Sequence, residues 1–351
     1  MNALPPGALI GILGPGQLGR MLALAAAQLG YRVHIYAPES GPACDVSQRF
    51  VPGSYEDADA LAAFAASVDV LTYEFENVVA APLAGIANLH PSVRALETAQ
   101  DRLAEKAFVA SVGGRTARFA PVPTRAALDA ALDAVGTPAI LKTTRFGYDG
   151  KGQARLAAPT GADAAWEAIG GNPAILEGQV AFDNEFSILL ARGADGATAI
   201  YDAPANVHRY GILDRSTVPA PAIVAAQFEE AAALACRIAD ALDYVGVLAC
   251  EFFASADGPV FNEMAPRVHN SGHWTIEGAV ASQFENHIRA ICGLPLGATA
   301  LTAPRIEMRN LIGDQAHDWP ALLGTPGTHL HLYGKHVPRP GRKMGHWTRL
   351  G

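Results

Sequence analysis

The chain has 351 residues, half of them hydrophobic and 17% charged, which is enough for two or three domains with large buried cores. Its formal net charge is −8, and it lacks the clustered Lys and Arg residues that a nucleic-acid-binding surface requires. The four cysteines show no metal-ligand spacing, so we expect reduced, buried thiols and a cytoplasmic protein. The first residues lack the basic segment of a signal peptide, and no stretch approaches the ~20 apolar residues of a membrane span.

Residues 1–95 alternate short apolar runs with segments rich in Ala and Leu. The apolar runs predict strands at 9–13, 32–36 and 70–72, and the segments between them predict helices at 17–29 and 58–66. Strands that alternate with helices form parallel sheets with helices on their faces. We therefore predict a Rossmann-like α/β domain over residues 1–95.

The remaining residues are predicted to form two α+β units. Residues 96–180 combine a charged linker helix at 99–112 with a small lid, whose strands we place at 118–120, 139–142 and 174–177 and whose helices we place at 124–135 and 163–169. Residues 181–351 are predicted to form mainly strands around one Ala-rich helix. That helix covers 225–242, a strand pair follows at 246–253 and 260–262, and the tail contains the basic run RPGRKMGH. We predict a C-terminal mixed-sheet domain.

A glycine turn, Gly14-Pro-Gly-Gln-Leu-Gly19, follows the first predicted strand and precedes a helix, as in dinucleotide-binding folds. A nicotinamide dinucleotide also needs an acidic residue at the tip of the second strand, but that tip is Tyr36-Ala37-Pro38 and Glu39 comes only after the proline. Three interpretations stay open: a nicotinamide site, a structural tight turn, or a site for another phosphorylated molecule. The sequence favours the last.

The segment Arg145-Phe-Gly-Tyr-Asp-Gly-Lys-Gly-Gln153 has three glycines and two cations between two predicted strands. Such a hairpin can close its backbone amides and Lys151 over phosphate groups. A plain surface turn would not need Lys142 at the end of the preceding strand as well. The pattern indicates a phosphate-binding loop.

Two glutamates, Glu251 and Glu263, lie in consecutive predicted strands joined by a turn at 255–258. If the strands form a hairpin, both carboxylates can point to one face. Adjacent carboxylates between apolar residues repel each other unless a cation compensates them, and Mg²⁺ is suited to one or two carboxylates plus nucleotide phosphates. The alternative is that both side chains lie on a solvated face of the hairpin.

The irregular stretch from Met264 to Trp274 directly follows the second glutamate strand and contains Arg267, His269, Asn270 and His273. A loop positioned by a rigid sheet is a common place for substrate contacts. We expect the first three side chains to contact substrate and His273 to be scaffold.

These motifs together resemble those of the ATP-grasp superfamily and, within it, the N5-carboxyaminoimidazole ribonucleotide synthase family of purine biosynthesis. The matching strings span nearly the whole chain in order: GILGPGQLGRM (11–21), TYEFEN (72–77), DRLAEK (101–106), GYDGKGQ (147–153), NEMAPRVHNSGHW (262–274) and PGRKMGH (340–346). The resemblance implies an ATP-grasp fold with an N-terminal Rossmann-like domain, a lid and a C-terminal mixed-sheet domain. It also implies an ATP-dependent carbon–nitrogen ligase, a carboxylase of 5-aminoimidazole ribonucleotide that uses bicarbonate through carboxyphosphate.

The resemblance further implies a set of nucleotide contacts and a Mg²⁺ site formed by Glu251 and Glu263. The ATP-binding residues would be Arg102, Lys106, Lys142, Gly147, Tyr148, Asp149, Gly150, Lys151, Gly152, Gln153, Glu177, Gly178, Gln179, Val180, Glu185, His208, Asn262 and Glu263. Glu177 to Val180 would be the strand that binds adenine, and Glu185 would take the ribose hydroxyls.

The ribonucleotide would lie across the domains. Its contacts would be Gln17, Glu74, Glu76, Tyr148, Arg267, His269 and Asn270, with Lys335 and Arg342 binding the ribonucleotide phosphate. Catalytic roles would fall to Asp149, which orients the amine or carries its proton, and to Lys151 and Arg267. The family suggests a homodimer; its members often continue beyond the basic tail, a difference we expect to affect stability and oligomer contacts rather than chemistry.

Three other functions compete with this prediction. Another ATP-grasp ligase or carboxylase would share the nucleotide residues but not the NEMAPRVHNSGHW string. A nicotinamide oxidoreductase would bind NADH at the glycine turn. A non-catalytic nucleotide-binding module would bind ATP without turnover.

Overall fold

A computed structural model describes residues 3–145 and 152–351. In its N-terminal part, four parallel strands form a sheet in the order β3-β2-β1-β4. The strands are β1 (Leu9–Leu13), β2 (Arg32–Ala37), β3 (Arg49–Pro52) and β4 (Val70–Tyr73), and the helices beside them are α1 (Gln17–Gln28) and α2 (Ala58–Ala66). The predicted parallel sheet is confirmed. Strand β3 was not predicted, because it is a short edge strand that is at most half-buried and carries no continuous apolar run.

The linker contains two helices, α3 (Val93–Gln100) and α4 (Arg102–Ser111), so the prediction of a single helix over 99–112 is wrong. The break falls at Asp101, whose backbone is extended (φ −123°, ψ 112°) and whose side chain accepts hydrogen bonds from the amides of Leu103 and Ala104. Asp is a favoured N-cap residue because it satisfies amides that have no partner inside the helix. Asp101 therefore starts α4 and sets the direction in which Arg102 and the following turn point.

The lid has an antiparallel sheet in the order β5-β8-β6-β7. Its elements are β5 (Phe119–Val122), α5 (Arg125–Val135), β6 (Ala139–Thr143), β7 (Gln153–Leu156), α6 (Ala162–Ala168) and β8 (Ala174–Gly178). Strands β6 and β7 pair as the predicted hairpin, with Lys142 opposite Gln153.

The C-terminal part forms one large sheet, which among the described residues has the order β14-β13-β9-β11-β12-β15-β17-β16, with β10 beside β9. Its strands are β9 (Asn184–Arg192), β10 (Thr198–Ile200), β11 (Ala205–Arg209), β12 (Ile212–Val218), β13 (Gly246–Ser255), β14 (Gly258–Ala265), β15 (Ile306–Ile312), β16 (Thr328–Leu332) and β17 (Lys343–Leu350). The helices are α7 (Ala222–Ala241), α8 (Thr275–Gly278), α9 (Gln283–Ile291) and α10 (Trp319–Leu323). The predicted short strands of the tail are part of this sheet.

The two faces of the large sheet have different neighbours. Helix α7 packs on one face against apolar side chains such as Ile188, Leu248 and Phe252. Helix α9 covers part of the other face and also packs against α1, so that Phe284 and Ile288 share a core with the N-terminal sheet. On this second face, Glu251 of β13 and Glu263 of β14 line a cavity together with residues of the N-terminal part, of α4 and of the segment after β6.

The predicted domain boundary at 180/181 lies between β8 and β9, whereas the one at 95/96 falls inside α3. The division into three domains stays a prediction. No helix within residues 3–145 and 152–351 has the length and apolar character needed to cross a bilayer.

Candidate active site

Glu251 on β13 lies directly opposite Glu263 on β14, which confirms the predicted hairpin. The register shifts immediately after this pair: Phe252 lies opposite Phe261, so Asn262 is the extra residue of a β-bulge. The bulge sits beside the two carboxylates and bends the edge strand at that point. Both acids consequently face the same enclosed region.

The two carboxylates differ in charge. Burial and the neighbouring Glu263 raise the pKa of Glu251 to about 7. Burial opposes ionisation of Glu263 as well, but Arg102 and Lys142 outweigh it and lower the pKa of Glu263 to about 2. Nη1 of Arg102 lies 3.0 Å from Oε2 of Glu263. Two neighbouring carboxylates in a partly buried site cannot both ionise easily, and here the cations favour ionisation of Glu263.

A second charged group lies beside the pair, centred on the buried carboxylate of Glu177. Its Oε2 lies 2.9 Å from Nζ of Lys142 and its Oε1 lies 3.4 Å from Nζ of Lys106. Burial opposes ionisation of Glu177, but the two lysines lower its pKa below the usual value. The side chain of Lys106 is 1% exposed, and its Nζ also donates to the carbonyl of Asn262 at 3.0 Å. The predicted nucleotide cations are therefore brought together next to Glu263.

Glu185 and His208 form a close ion pair on β9 and β11. Burial disfavours the charged imidazole, yet the bond to Glu185 and the charge of Glu251 raise the pKa of His208 above its usual value. Both predicted nucleotide contacts thus lie together and near the carboxylate pair.

The predicted adenine-binding strand, Glu177 to Val180, covers the end of β8 and the two residues after it. Two of its backbone amides already donate hydrogen bonds within the protein. Gly178 donates to the carbonyl of Arg118 at 2.8 Å, and Gln179 donates to that of Pro138 at 2.9 Å. Gln179 is exposed and Val180 is half-buried. Any base contact by Gly178 or Gln179 would therefore involve groups other than these amides.

The loop after β14 brings Arg267, His269 and Asn270 to the carboxylates. Arg267 forms a close ion pair with Glu76, and Nε2 of His269 lies 3.4 Å from Oε1 of Glu251. Burial, then Arg267 and Lys343, lower the pKa of His269 to about 3, so its imidazole is neutral. Within the described part of the chain, the buried side-chain nitrogen and oxygen of Asn270 have no hydrogen-bond partner. Buried polar groups are normally paired, so this amide is suited to a ligand.

The glycine turn is bound by the protein itself. One carboxylate oxygen of Glu74 accepts from the amide of Gly16 at 2.7 Å, and the other accepts from Leu18 and Gly19 at 3.1 and 3.0 Å. Burial raises the pKa of Glu74 despite these bonds. The N-terminus of α1, where a dinucleotide pyrophosphate would bind, is therefore filled by Glu74.

A cavity of about 390 Å³ lies beside the carboxylate pair, the loop after β14 and the glycine turn. Lys106, Lys142, Glu177, Glu185 and His208 are not among the residues that line it. Its walls include the predicted residues Gln17, Glu74, Glu76, Arg102, Glu251, Glu263, Arg267, His269 and Asn270. Other predicted residues have different surroundings: Nζ of Lys335 donates to the carbonyl of Lys343 at 2.8 Å, and Arg342 donates to that of Val337 at 2.8 Å.

Part of the predicted phosphate loop lies outside the described residues, namely Gly147, Tyr148, Asp149, Gly150 and Lys151. Gly152 and Gln153 are described. Gly152 has φ +68° and its carbonyl accepts from the amide of Thr143 at 2.8 Å, while Gln153 begins β7.

The sequence did not predict several residues of the site, among them Lys343, Glu105 and Gln283. Lys343 and Glu105 line the cavity, and the side chain of Gln283 holds the backbone of His269 through its Oε1 (2.9 Å) and Nε2 (2.7 Å). Lys343 and Glu105 lie within the PGRKMGH and DRLAEK strings, which was a usable signal. Gln283 lies in α9, outside every motif. His273 also lines the cavity, although we expected it to be scaffold.

The arrangement of a lid, a carboxylate pair on the edge hairpin of a large antiparallel sheet and clustered cations defines the class, and comparison with known families agrees. Residues 107–284 match the ATP-grasp domain, residues 8–100 match the ribonucleotide synthetase preATP-grasp domain, and residues 307–351 match the phosphoribosylaminoimidazole carboxylase C-terminal domain. The chain is thus an ATP-grasp protein.

Individual relatives narrow the assignment. The chain is 51% identical to N5-carboxyaminoimidazole ribonucleotide synthase of Brucella melitensis, over 99% of this chain and 98% of that protein. It superposes on the crystal structure of the synthetase from Thermus thermophilus with a TM-score of 0.90 and 48% identity, over 97% of this chain and 93% of that one. The crystal structure of the enzyme from Aspergillus clavatus, in complex with ADP and 5-aminoimidazole ribonucleotide, superposes with a TM-score of 0.92 and 31% identity, over 99% of this chain and 94% of that one. The chain belongs to the N5-carboxyaminoimidazole ribonucleotide synthase family.

Proposed function

We infer that the chain is an ATP-dependent ligase that carboxylates 5-aminoimidazole ribonucleotide to N5-carboxyaminoimidazole ribonucleotide in purine biosynthesis. The observation that supports this most directly is the grouping of Glu251, Glu263 and Arg102 with Arg267 and Asn270 around one cavity. A nucleotide and a second, small anionic reactant both need such charges.

Glu251 and Glu263 suit the Mg²⁺ that accompanies ATP. Their oxygens are the hard ligands this ion prefers, and one or two carboxylates plus phosphates are its usual set in such sites. The raised pKa of Glu251 also fits, because a divalent cation would relieve the repulsion from Glu263 that helps to keep it protonated. When bound, Mg²⁺ would neutralise phosphate charge during phosphoryl transfer.

The cations of the chain position the phosphates. Lys106 and Lys142 both form ion pairs with Glu177, and Arg102 forms one with Glu263. These three cations therefore lie close to the pair formed by Glu251 and Glu263. Phosphoryl transfer depends mainly on alignment and charge neutralisation, which these residues supply. We further propose that Glu185 and His208 contact the nucleoside, as the family resemblance implies.

Arg267, His269 and Asn270 are proposed to hold bicarbonate and the carboxyphosphate made from it. Among the described residues, neither the amide nitrogen nor the amide oxygen of the Asn270 side chain has a hydrogen-bond partner. These donor and acceptor groups match an anion that carries both an O–H and negatively charged oxygens. A bicarbonate oxygen attacks the γ-phosphorus and ADP leaves. The ribonucleotide amine then forms the C–N bond to the carboxyl carbon, the bond from that carbon to the phosphate oxygen breaks, and phosphate and a proton are released.

The remaining assignments follow the family. Gln17, Glu74 and Glu76 would form one wall of the ribonucleotide site, and Lys335 and Arg342 would supply cations for its phosphate. Lys343, which lines the cavity, is proposed as a third cation. Asp149 and Lys151 keep their proposed catalytic roles. We also propose a cytoplasmic homodimer.

The test measures ADP release from ATP and bicarbonate with and without 5-aminoimidazole ribonucleotide. We expect strong stimulation by the ribonucleotide and formation of its N-carboxylated product. If ADP release is unchanged by the ribonucleotide, the substrate assignment fails while ATP-grasp membership stands.

A further inference from the structure

Helix α4 holds the edge strand β14 at three consecutive residues. Arg102 contacts the Glu263 carboxylate, Lys106 donates to the Asn262 carbonyl at 3.0 Å, and Glu105 accepts from the Met264 amide at 2.7 Å. The three helix residues are spaced i, i+3 and i+4, so they share one face of α4. Two of the three contacts are to the backbone and therefore act on the path of the strand itself.

The segment of β14 that α4 contacts, residues 262–264, is only partly held by pairing within the sheet. Strand β14 lies at the edge of the large sheet, and among the described residues its outer side has an isolated bridge from Phe261 to Thr116 but no ladder. Asn262 is the extra residue of the bulge, and bulges locally disrupt pairing. Lys106 donates a hydrogen bond to the carbonyl of Asn262, and Glu105 accepts one from the amide of Met264, two positions later. The backbone on both sides of Glu263 is thereby fixed to α4.

The Glu105 side chain is 2% exposed and does not belong to the metal, nucleotide or substrate sets proposed above. Its bond to Met264 nevertheless sets how the neighbouring Glu263 is presented. We propose that Glu105 is a positioning residue, whose carboxylate fixes the bulged edge of β14 so that Glu263 lies opposite Glu251 for divalent-cation binding. This inference rests on the proposed metal site.

Two substitutions of Glu105 differ in whether the new side chain can accept a hydrogen bond from the Met264 amide. Glu105→Gln keeps a side-chain oxygen for the Met264 amide, whereas Glu105→Leu has a similar size and no acceptor. We expect Glu105→Leu to weaken binding of ADP in the presence of Mg²⁺ by about 10-fold, as loss of a residue that supports metal ligands typically does. Binding of ADP without metal should change little, and Glu105→Gln should stay close to wild type in both titrations.

Calorimetric titration with ADP, with and without Mg²⁺, measures these affinities. Glu97→Leu, an exposed substitution on α3, is the control and should match wild type. Hydrogen exchange adds a readout independent of binding: a peptide containing Met264 should exchange slowly in wild type and Glu105→Gln. That wild-type measurement tests the Glu105 contact even if Glu105→Leu does not fold.

The outcomes distinguish this inference from the metal site on which it rests. If Glu263→Gln removes the Mg²⁺ dependence of ADP binding but Glu105→Leu does not, the positioning role is overturned and the metal site stands. If Glu263→Gln leaves the Mg²⁺ dependence intact, the metal site itself is wrong. Loss of Mg²⁺-dependent binding in a folded Glu105→Gln would also overturn the acceptor role.

Discussion

The guanidinium of Arg102 lies 3.0 Å from the carboxylate of Glu263, and this contact gives the two facing glutamates different charges. Glu263 has a pKa of about 2, while that of Glu251 is about 7. Arg102 is also the first residue of α4, directly after the Asp101 cap. The cap that starts the helix therefore also places the cation that keeps Glu263 ionised.

Substituting Glu263 with Gln should reduce turnover by about 100-fold or more, because it removes charge at the point where phosphate charge must be balanced. The side chain keeps its size, and 42% of it is exposed to the cavity, so the fold should survive. Initial rates of ADP release at saturating ATP, bicarbonate and ribonucleotide measure the effect.

Glu307→Gln is the matched control for this prediction, since Glu307 is a half-buried strand glutamate on β15 that does not line the cavity. It should keep turnover near wild type. Near-normal activity of Glu263→Gln, with an unchanged melting temperature, would contradict the metal role of this carboxylate.

The sequence was informative where function depends on neighbours along the chain. The hairpin that pairs Glu251 with Glu263 is one continuous segment, residues 246–265, so its strands and turn could be predicted together. The glycine turn was harder to interpret. Its amides are bound by Glu74, which lies 55 to 58 residues away along the chain, and a single sequence does not encode such a contact in any local pattern.

Boundaries and buried supports were the other features that sequence patterns did not predict. The helix predicted over 99–112 is a charge-rich segment in which Asp101 could equally be an exposed helix residue, and only the cap geometry shows that α4 begins after it. Gln283 holds the loop at His269 from a helix that no motif marks. A buried amide that binds backbone has no distinctive sequence signal, since Gln is usually a surface residue.

Asn270→Ala should raise the KM for bicarbonate by about 10-fold or more, because two hydrogen bonds to a charged ligand are lost. Asn270→Asp should have a larger effect, since it places a negative charge against an anion at nearly constant shape. The KM for ATP should change much less. Steady-state rates at varied bicarbonate, with ATP held saturating, separate the two constants.

Asn172→Ala provides the comparison, because Asn172 donates to the carbonyl of Ile169 within a turn of the lid and does not line the cavity. Equal KM values for bicarbonate in wild type and both Asn270 variants would rule out a role for this amide in binding the anion. A parallel rise in the KM for ATP would instead indicate general damage to the site.

His287 links the N-terminal sheet to the large sheet and should make the fold sensitive to acid. The amide of Val247 donates to Nδ1 at 3.1 Å, so the proton of the neutral ring is on Nε2, which lies 2.9 Å from the hydroxyl of Thr72. A second proton on Nδ1 would face the Val247 N–H. Burial, with a smaller effect of His90, lowers the pKa of His287 to about 3.

The sign of the pH effect follows from the unfolded state, in which the pKa of His287 is 6.5. Above a pH of 6.5 neither the folded nor the unfolded protein binds this proton, so His287 does not lower the free energy of unfolding. As the pH falls from 6.5 towards 3, only the unfolded state is protonated, so folding loses about 1.4 kcal/mol per pH unit. Below a pH of about 3 the folded state also takes the proton and the loss levels off.

Urea unfolding at pH 7.5 and 5.5 tests this with His287→Gln, which can still accept from Val247 and donate to Thr72 but does not titrate. All other acids and histidines are common to both proteins, so the difference in pH dependence reports the titration of His287. The advantage of wild type over the variant should shrink by about 1.4 kcal/mol between the two pH values. An unchanged difference would mean that His287 takes up its proton in the folded protein as readily as in the unfolded chain.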